Sequence, residues 1–597
     1  MTPDGAEPVG RRHRITALWA RHRSRWALPL VIVVIIVIVT AVDHIVGAQR
    51  IKQVDQPPPS GLVATQGGSA TVDLDQGMAG FNPNTSAGAA SATPTVMASV
   101  LPSAYIINPQ NLAVPNTSLL QSVEVIKPAP LTISYVIDPK AVWSDGVPVT
   151  AQDFIYAWES QRGIGSDIDG KPFDVASTLG YRDIDSVTPS SDGKTVTVIF
   201  GTPFTDWRVL FSNMVPAHIA VQAGWNTAFQ TFNPSRDLSA GPMTIGSVSP
   251  SGTVVLVPNS KWWGPKPRLS RVVIKENQNP TSWIAALSRS NGTVSQPSTF
   301  NLGDVNRVTS LPNVQSEIRK SLQFMQLEFN VKSPVTGTLA VRQAIAHSLD
   351  RWKLLTDTFG SIQTAPAIND DHLAVNTQTH YAPSKASGAY DKVNAATSAG
   401  LMSAAGYTRP VFGPYEDLAG KPLVIRMAVE SGDPWIQGVA ELVAEQLDAA
   451  GFEVVTVPVA GAVGMDAAAR ANTYDLALAS RTASPFLTST MAWYSDQLGA
   501  PGSGGSHDWS NFSDPTLDQL FRQGSQELNP INGATYYAQI DTELWNQMIA
   551  LPLFQEPAFL AQGVHLGTIQ YNSSSTGLLW NVSNWTALTP KPVISGS

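Results

Sequence analysis

The sequence predicts an α/β protein, a β-rich mixed half followed by an α/β lobe, and three observations predict it. Short β-branched runs bounded by turn residues recur early: "LTISYVI" at 131–137, "KTVTVIF" at 194–200, "GTVVLVP" at 252–258 and "RVVIK" at 271–275. Apolar residues three and four apart mark two later helices. In "VRQAIAHSLDRWKLL" the stripe is Val341, Ala344, Ile345, Ser348, Leu349 and Trp352; in "WIQGVAELVAEQLDAAG" it is Ile436, Val439, Ala440, Val443 and Leu447. Gly451 offers a C-terminal stop to the second helix, and "FEVVTV" at 452–457 follows as a strand, the helix-then-strand order of an α/β lobe.

The chain has 597 residues, 43% hydrophobic and 14% charged, enough to bury large cores in roughly three or four lobes or domains. It has no cysteine, which excludes disulfides, thiolate nucleophiles, zinc ribbons, iron–sulfur ligation and a thioether lipid anchor. The first fifty residues hold seven arginines and three acids, which leaves a net charge of −12 on the rest. That balance points away from nucleic acid, which calls for a basic patch with interleaved aromatics.

Six arginines, from Arg11 to Arg25, precede the uncharged apolar run "WALPLVIVVIIVIVTAV" at 26–42. Residues 1–25 read as a basic cytoplasmic segment and 26–46 as a transmembrane anchor or signal segment. The arginine excess keeps the start inside and sends the remainder across the membrane. Residues 47–68, rich in Pro, Gly and Ser, read as a linker, with the folded body starting near Ser69.

"AVWSDGVPVTAQDFIYAW" at 141–158 reads as a strand end, a turn and a helix start. Ser144, Asp145 and Gly146 suit the turn; Thr150 with Asp153 forms a variant capping box; Phe154, Ala157 and Trp158 supply a buried face. No His, Lys or second acid is spaced to work with Asp145, so its part is structural. The nine histidines show no metal-ligand spacing, and His218 and His347 read as satisfied by local hydrogen bonds. There is no nucleophile elbow and no phosphate loop; "PGSGGSHD" at 501–508 reads as a surface loop. No catalytic residue, metal or cofactor is expected. Sixteen tryptophans, among them Trp262, Trp263, Trp435 and Trp493, leave either a core or the wall of a solute-binding cleft.

"WSDGVPVTAQDFIYAW" resembles the signature segment of family 5 extracellular solute-binding proteins, the peptide-binding receptors of ABC importers. Other segments match in the same order: "GFNPNT" at 80–85, similar to the family's early strand and proline turn, "SAGPMTI" at 239–245, "VPNSKWWGPKPRLSRVVI" at 257–274, "LEFNVKSP" at 327–334, "TYDLAL" at 473–478, "FSDPTLDQLF" at 512–521 and "ALPLFQEP" at 550–557. "KAVWSDGVPVTAQDF" and "SVLPSAYI" look closest to the actinobacterial, LpqW-like branch, which is linked to cell-envelope mannolipid assembly. The resemblance implies a two-lobed, periplasmic-binding-protein-like fold (type II, cluster C-like) with hinge and ligand cleft: lobe I over 69–323, lobe II over 324–549, and a return to lobe I over 550–597. It implies a monomer that binds a peptide or other small solute for an ABC permease, or an accessory protein that binds a lipoglycan precursor or enzyme without transport.

The family's peptide binders place an Asp after the "Y-D-x-x-L" strand, where this chain reads "YDLALASRTASPF", with Arg481 near that place and Ser484 before Pro485. Either Arg481 faces the cleft and grips an anionic or hydroxyl-rich group, or it pairs with a nearby acid and points away. The resemblance implies Phe81, Asn82, Arg481, Thr482, Ser484 and Phe486 as cleft residues.

Overall fold

The computed structural model describes residues 61–591 except 290–291, 299, 361, 363–366 and 496–507. One ten-stranded sheet organises the chain. Its order is Glu453–Val459, Val424–Glu430, Leu476–Thr482, Val314–Phe329, Ala550–Gly563, Thr293–Ser295, Ser69–Leu74, Arg271–Glu276, Val254–Pro258, Met243–Val248. Strands from the first half of the chain form one flank and strands from the second half the other. Between them run two long antiparallel strands, Val314–Phe329 and Ala550–Gly563. Sixteen extended residues span about 50 Å, enough to cross from one lobe to the other.

Alternation along this pair serves two cores. Leu560 packs into the first core with Val72, Ile133 and Trp143, whereas its neighbours Phe559 and Ala561 enter the second with Trp283, Val439 and Leu551. The pairing shifts register between Lys320 and Phe324 and again between Met325 and Gln326. The Ser321 hydroxyl donates to the Glu556 carbonyl and accepts the Gln323 N–H, both at 2.9 Å, so side chains replace the missing ladder bonds. The boundary expected at 323/324 lies in that irregular stretch. Helices Pro280–Arg289 and Leu302–Thr309, which precede it, already contribute Trp283, Leu287 and Val308 to the second core.

The four early β-branched runs are strands, all within a residue or two of the expected bounds. Leu131–Ile137 and Thr195–Phe200 pair in a separate four-stranded antiparallel sheet against the first core. The stretch at 141–158 forms the expected turn and helix. Gly146 has φ 94°, and the Asp145 carboxylate accepts the Val147 N–H at 3.0 Å. Thr150 caps Ala151–Gln161 by accepting the Gln152 N–H. Asp153 reaches back to the Thr150 N–H at 2.9 Å and also accepts the Ala217 N–H at 3.0 Å. Burial pushes the Asp153 carboxyl upward against these hydrogen bonds. His218, 73 residues away in sequence, stands 2.9 Å from the other Asp145 oxygen, so the expectation that no histidine meets this acid is corrected.

Four further expectations are corrected. The helix at 341–355 is two, Leu339–Ala346 and Arg351–Phe359, because Asp350 caps the second by accepting the Lys353 N–H at 2.8 Å. The break turns Trp352 out to 51% exposure and buries Arg351 instead. His347 packs against Tyr390 with ring centroids 4.6 Å apart and its Nδ1 buried and unpartnered, rather than hydrogen-bonded. The linker ends earlier than 68: Leu62–Thr65 pairs antiparallel with Thr586–Pro590. The expected anchor at 26–46 and the loop at 501–507 lie outside the described residues; among the described residues no helix is long and apolar enough to cross a membrane.

Asp153→Ala removes a cap and leaves the buried Ala217 N–H without its acceptor. It is expected to lower unfolding stability by about 1–2 kcal/mol in urea titrations.

Candidate functional site

The strand Leu476–Thr482 ends where the two lobes meet, and the period of two sorts its last residues onto opposite faces. Arg481 shares a face with Ala477 and Ala479, which leave room for its side chain to lie along the sheet toward Glu328. Nε stands 2.7 Å from one Glu328 oxygen and Nη2 2.9 Å from the other. The guanidinium stacks 3.7 Å from the Trp509 ring and 5.1 Å from Trp493, and Arg481 is only 5% exposed. Of the two readings left open by the sequence, the paired one is what the structure contains. The one cation expected at the cleft is thus already matched by an acid.

Ser480 and Thr482 lie on the other face. Thr482 is exposed, and the Ser480 hydroxyl donates to the Glu556 carboxylate at 2.7 Å. Burial pushes the Glu556 carboxyl up to about 7, and Asp433 adds to the rise. Asp433 caps the helix Pro434–Ala450 through the Trp435 and Ile436 N–H groups. Burial raises its carboxyl too, and Asp75 from the other flank of the sheet adds to the rise. Acids from both flanks therefore gather where Val424–Glu430 and Leu476–Thr482 end, on the carboxyl side of the strands where open α/β sheets bind ligands.

Beyond Thr482 the chain turns. The Ser484 hydroxyl accepts the Phe486 N–H at 3.1 Å, the Ser484 carbonyl accepts from the Gln378 amide at 2.8 Å, and buried Phe486 precedes the short helix Leu487–Met491. Phe81 and Asn82 sit in the first lobe. Gly80, at φ 82°, approaches Phe229 so closely that a Cβ would stand 2.8 Å from its carbonyl, which brings the Phe81 N–H to that carbonyl at 2.7 Å. Phe81 packs 5.8 Å from Phe232, and the Asn82 side-chain oxygen accepts the Asn84 N–H while its Nδ2 is buried without a partner. "GFNPNT" is a turn that ends in the cap of Ser86–Ala89, not a strand. Among the described residues no hydrogen bond or ring contact joins Phe81 and Asn82 to the segment from Thr482 to Phe486.

What does join the lobes comes from residues the sequence reading passed over. The Asp206 carboxylate accepts both the N–H (2.9 Å) and the hydroxyl (2.6 Å) of Thr488, the Thr205 N–H donates to the Ser525 carbonyl at 2.8 Å, and Leu528 packs on the first core. Alternation alone would have set Arg481 and Thr482 on different faces. Glu328, Glu556 and Asp206 carry no local signal, because each meets its partner across 76 to 282 residues.

Two α/β lobes that share one sheet and meet over the carboxyl ends of its strands define an extracytoplasmic solute-binding protein. The chain belongs to the bacterial extracellular solute-binding proteins of family 5, whose model, described as "family 5 Middle", matches residues 115–502. It is 24% identical over 532 residues to the oligopeptide-binding protein OppA of Mycobacterium tuberculosis, covering 88% of this chain and 85% of that one. It is also 25% identical over 409 residues to the "Probable monoacyl phosphatidylinositol tetramannoside-binding protein LpqW" of the same species, covering 62% and 61%. Among solved structures, the periplasmic EDTA-binding protein EppA superposes with a TM-score of 0.81 at 24% identity, over 90% of this chain and 99% of that one.

Arg481→Met should leave Glu328 as an unpaired buried charge and cost about 3–5 kcal/mol in denaturant unfolding. For Glu556 the sign runs the other way. The folded protein holds this proton up to about pH 7, above the unfolded value of 4.5, so its stabilising effect is complete below pH 4.5 and lost as pH rises through 7. Glu556→Gln is expected to raise the melting temperature at pH 8 and leave it nearly unchanged at pH 4.

Proposed function

We propose that the protein captures a peptide in the cleft between its lobes and presents it to an ABC permease, without catalysis. The carrying observation is the shared sheet with its irregular stretch at Ser321–Gln323: among the described residues two long strands connect the lobes there, so a bend at that place opens and closes the space above the strand ends. Family membership and the similarity to an oligopeptide-binding protein support the peptide reading.

Phe81, Asn82, Thr482, Ser484 and Phe486 are proposed as wall residues, with Arg481 behind them as a matched ion pair. Because Glu328 neutralises Arg481, the case for an anionic ligand weakens. The acids Asp75, Asp433 and Glu556 instead favour a ligand that brings an ammonium or another cation. The half-exposed Asp145–His218 pair serves the turn at 144–147, consistent with a non-enzymatic protein. Residues 26–46 would hold the chain at the membrane as a monomer, with its body outside the cytoplasm.

The similarity to LpqW favours a second reading, an envelope accessory protein that binds a mannosylated lipid. Native mass spectrometry of the full-length protein, purified gently from its own host, separates the two. Bound masses matching short peptides are expected. A glycosylated phospholipid would establish the second reading, and an empty cleft that no peptide mixture stabilises against heat would overturn the first.

A further inference from the structure

We infer that Asp206 is a positioning residue for the binding segment: a carboxylate of one lobe that caps a helix of the other only when the cleft is closed. The inference rests on the solute-binding reading and adds to it a specific part for a residue outside the cleft wall.

Asp206 stands immediately before the helical turn Trp207–Val209, a place where an aspartate would ordinarily cap its own turn. It makes no such bond. Its neighbours Phe204 and Trp207 are buried in the first core, so the residue belongs firmly to that lobe. Across the boundary, the helix Leu487–Met491 begins after Phe486, whose side chain cannot accept a hydrogen bond, and the helix has no side-chain cap of its own. Leu487 and Met491 pack in a different core, with Phe521 and Leu544. One lobe thus holds an unused cap and the other an uncapped helix, and the Asp206 carboxylate, with Thr488 donating twice to it, satisfies both. Beside it the Thr205 N–H reaches the Ser525 carbonyl, so the contact is two-point rather than a single reaching side chain.

The location gives the contact its consequence. Thr488 lies four residues beyond Ser484 and two beyond Phe486, both proposed wall residues. When the lobes part, Leu487–Met491 loses its cap, and the segment that leads into it loses a fixed end. Closure and the order of the binding segment are therefore the same event.

The absence of native cysteine makes the test direct. Ser251→Cys and Ser403→Cys, exposed positions on opposite lobes, carry spin labels in the full-length protein, and electron–electron resonance reads the distance between them. Asp206→Ala should add a longer-distance population to the parent distribution and speed hydrogen exchange at the Thr488 amide by roughly tenfold or more. Asp206→Asn, which keeps one acceptor, should fall between. Thr488→Val keeps the helix N–H but loses the hydroxyl, and should lengthen the distance even if Asp206→Ala fails to fold. Distance distributions that superpose on the parent for every folded variant would overturn the inference. No ligand enters the experiment, so that outcome would leave the peptide reading untouched, while failure to find bound peptide would leave the lobe contact untouched.

Discussion

Everything in this architecture hangs from one strand pair. Val314–Phe329 and Ala550–Gly563 are separated by more than two hundred residues, yet they run antiparallel through the middle of a sheet whose flanks belong to different lobes. Closing so long a loop costs conformational entropy, and the cost is met by burial on both faces of the pair at once. Leu560 enters the first core while Phe559 and Ala561 enter the second. A one-residue slip would exchange these faces and damage both cores together, so the register is held from two sides. The longest break in the ladder lies around Ser321–Gln323, where side-chain hydrogen bonds, more adaptable than a ladder, take its place.

The Arg481–Glu328 pair shows how the same sheet supports its boundary. A buried ion pair offsets its desolvation only when geometry and extra hydrogen bonds are favourable. Here the carboxylate meets the guanidinium with both oxygens and accepts further from the Gln326 amide at 2.8 Å, while Trp509 covers the cation. The arrangement ties three strand positions and a returning loop together just short of the strand end. Its charge is spent on structure, which leaves the proposed wall beyond it to Thr482, Ser484 and Phe486.

The parts of this fold legible in the sequence were those decided by near neighbours. Thr150 and Asp153 are three residues apart and their cap is local; Gly451 sits at φ 99° where the helix stop was expected; Ile436 to Leu447 face the core because a helix repeats every 3.6 residues. Trp352 was misplaced because Asp350, a strong cap, outweighed an apolar stripe that ran through it. The candidate site was less legible for a related reason. Its segments could be recognised one by one, but the partners that decide what Arg481 or Asp145 does, Glu328 and His218, are brought in by topology. Local pattern gives a residue's face; only the fold gives its partner.

The segment after Arg481 is fixed at both ends by different parts of the protein. Thr482 pairs in register with Gln323, inside the irregular stretch where the spine can bend, and Thr488 is held by Asp206 from the opposite lobe. Five residues lie between these points, among them Ser484 and Phe486, with little slack to absorb a relative movement of the lobes. A solute that touches this short bridge therefore touches the bend and the closing contact together. That is a sufficient physical link between occupancy and shape: binding that favours one conformation of the bridge must bias the lobes toward the arrangement in which both its ends are held.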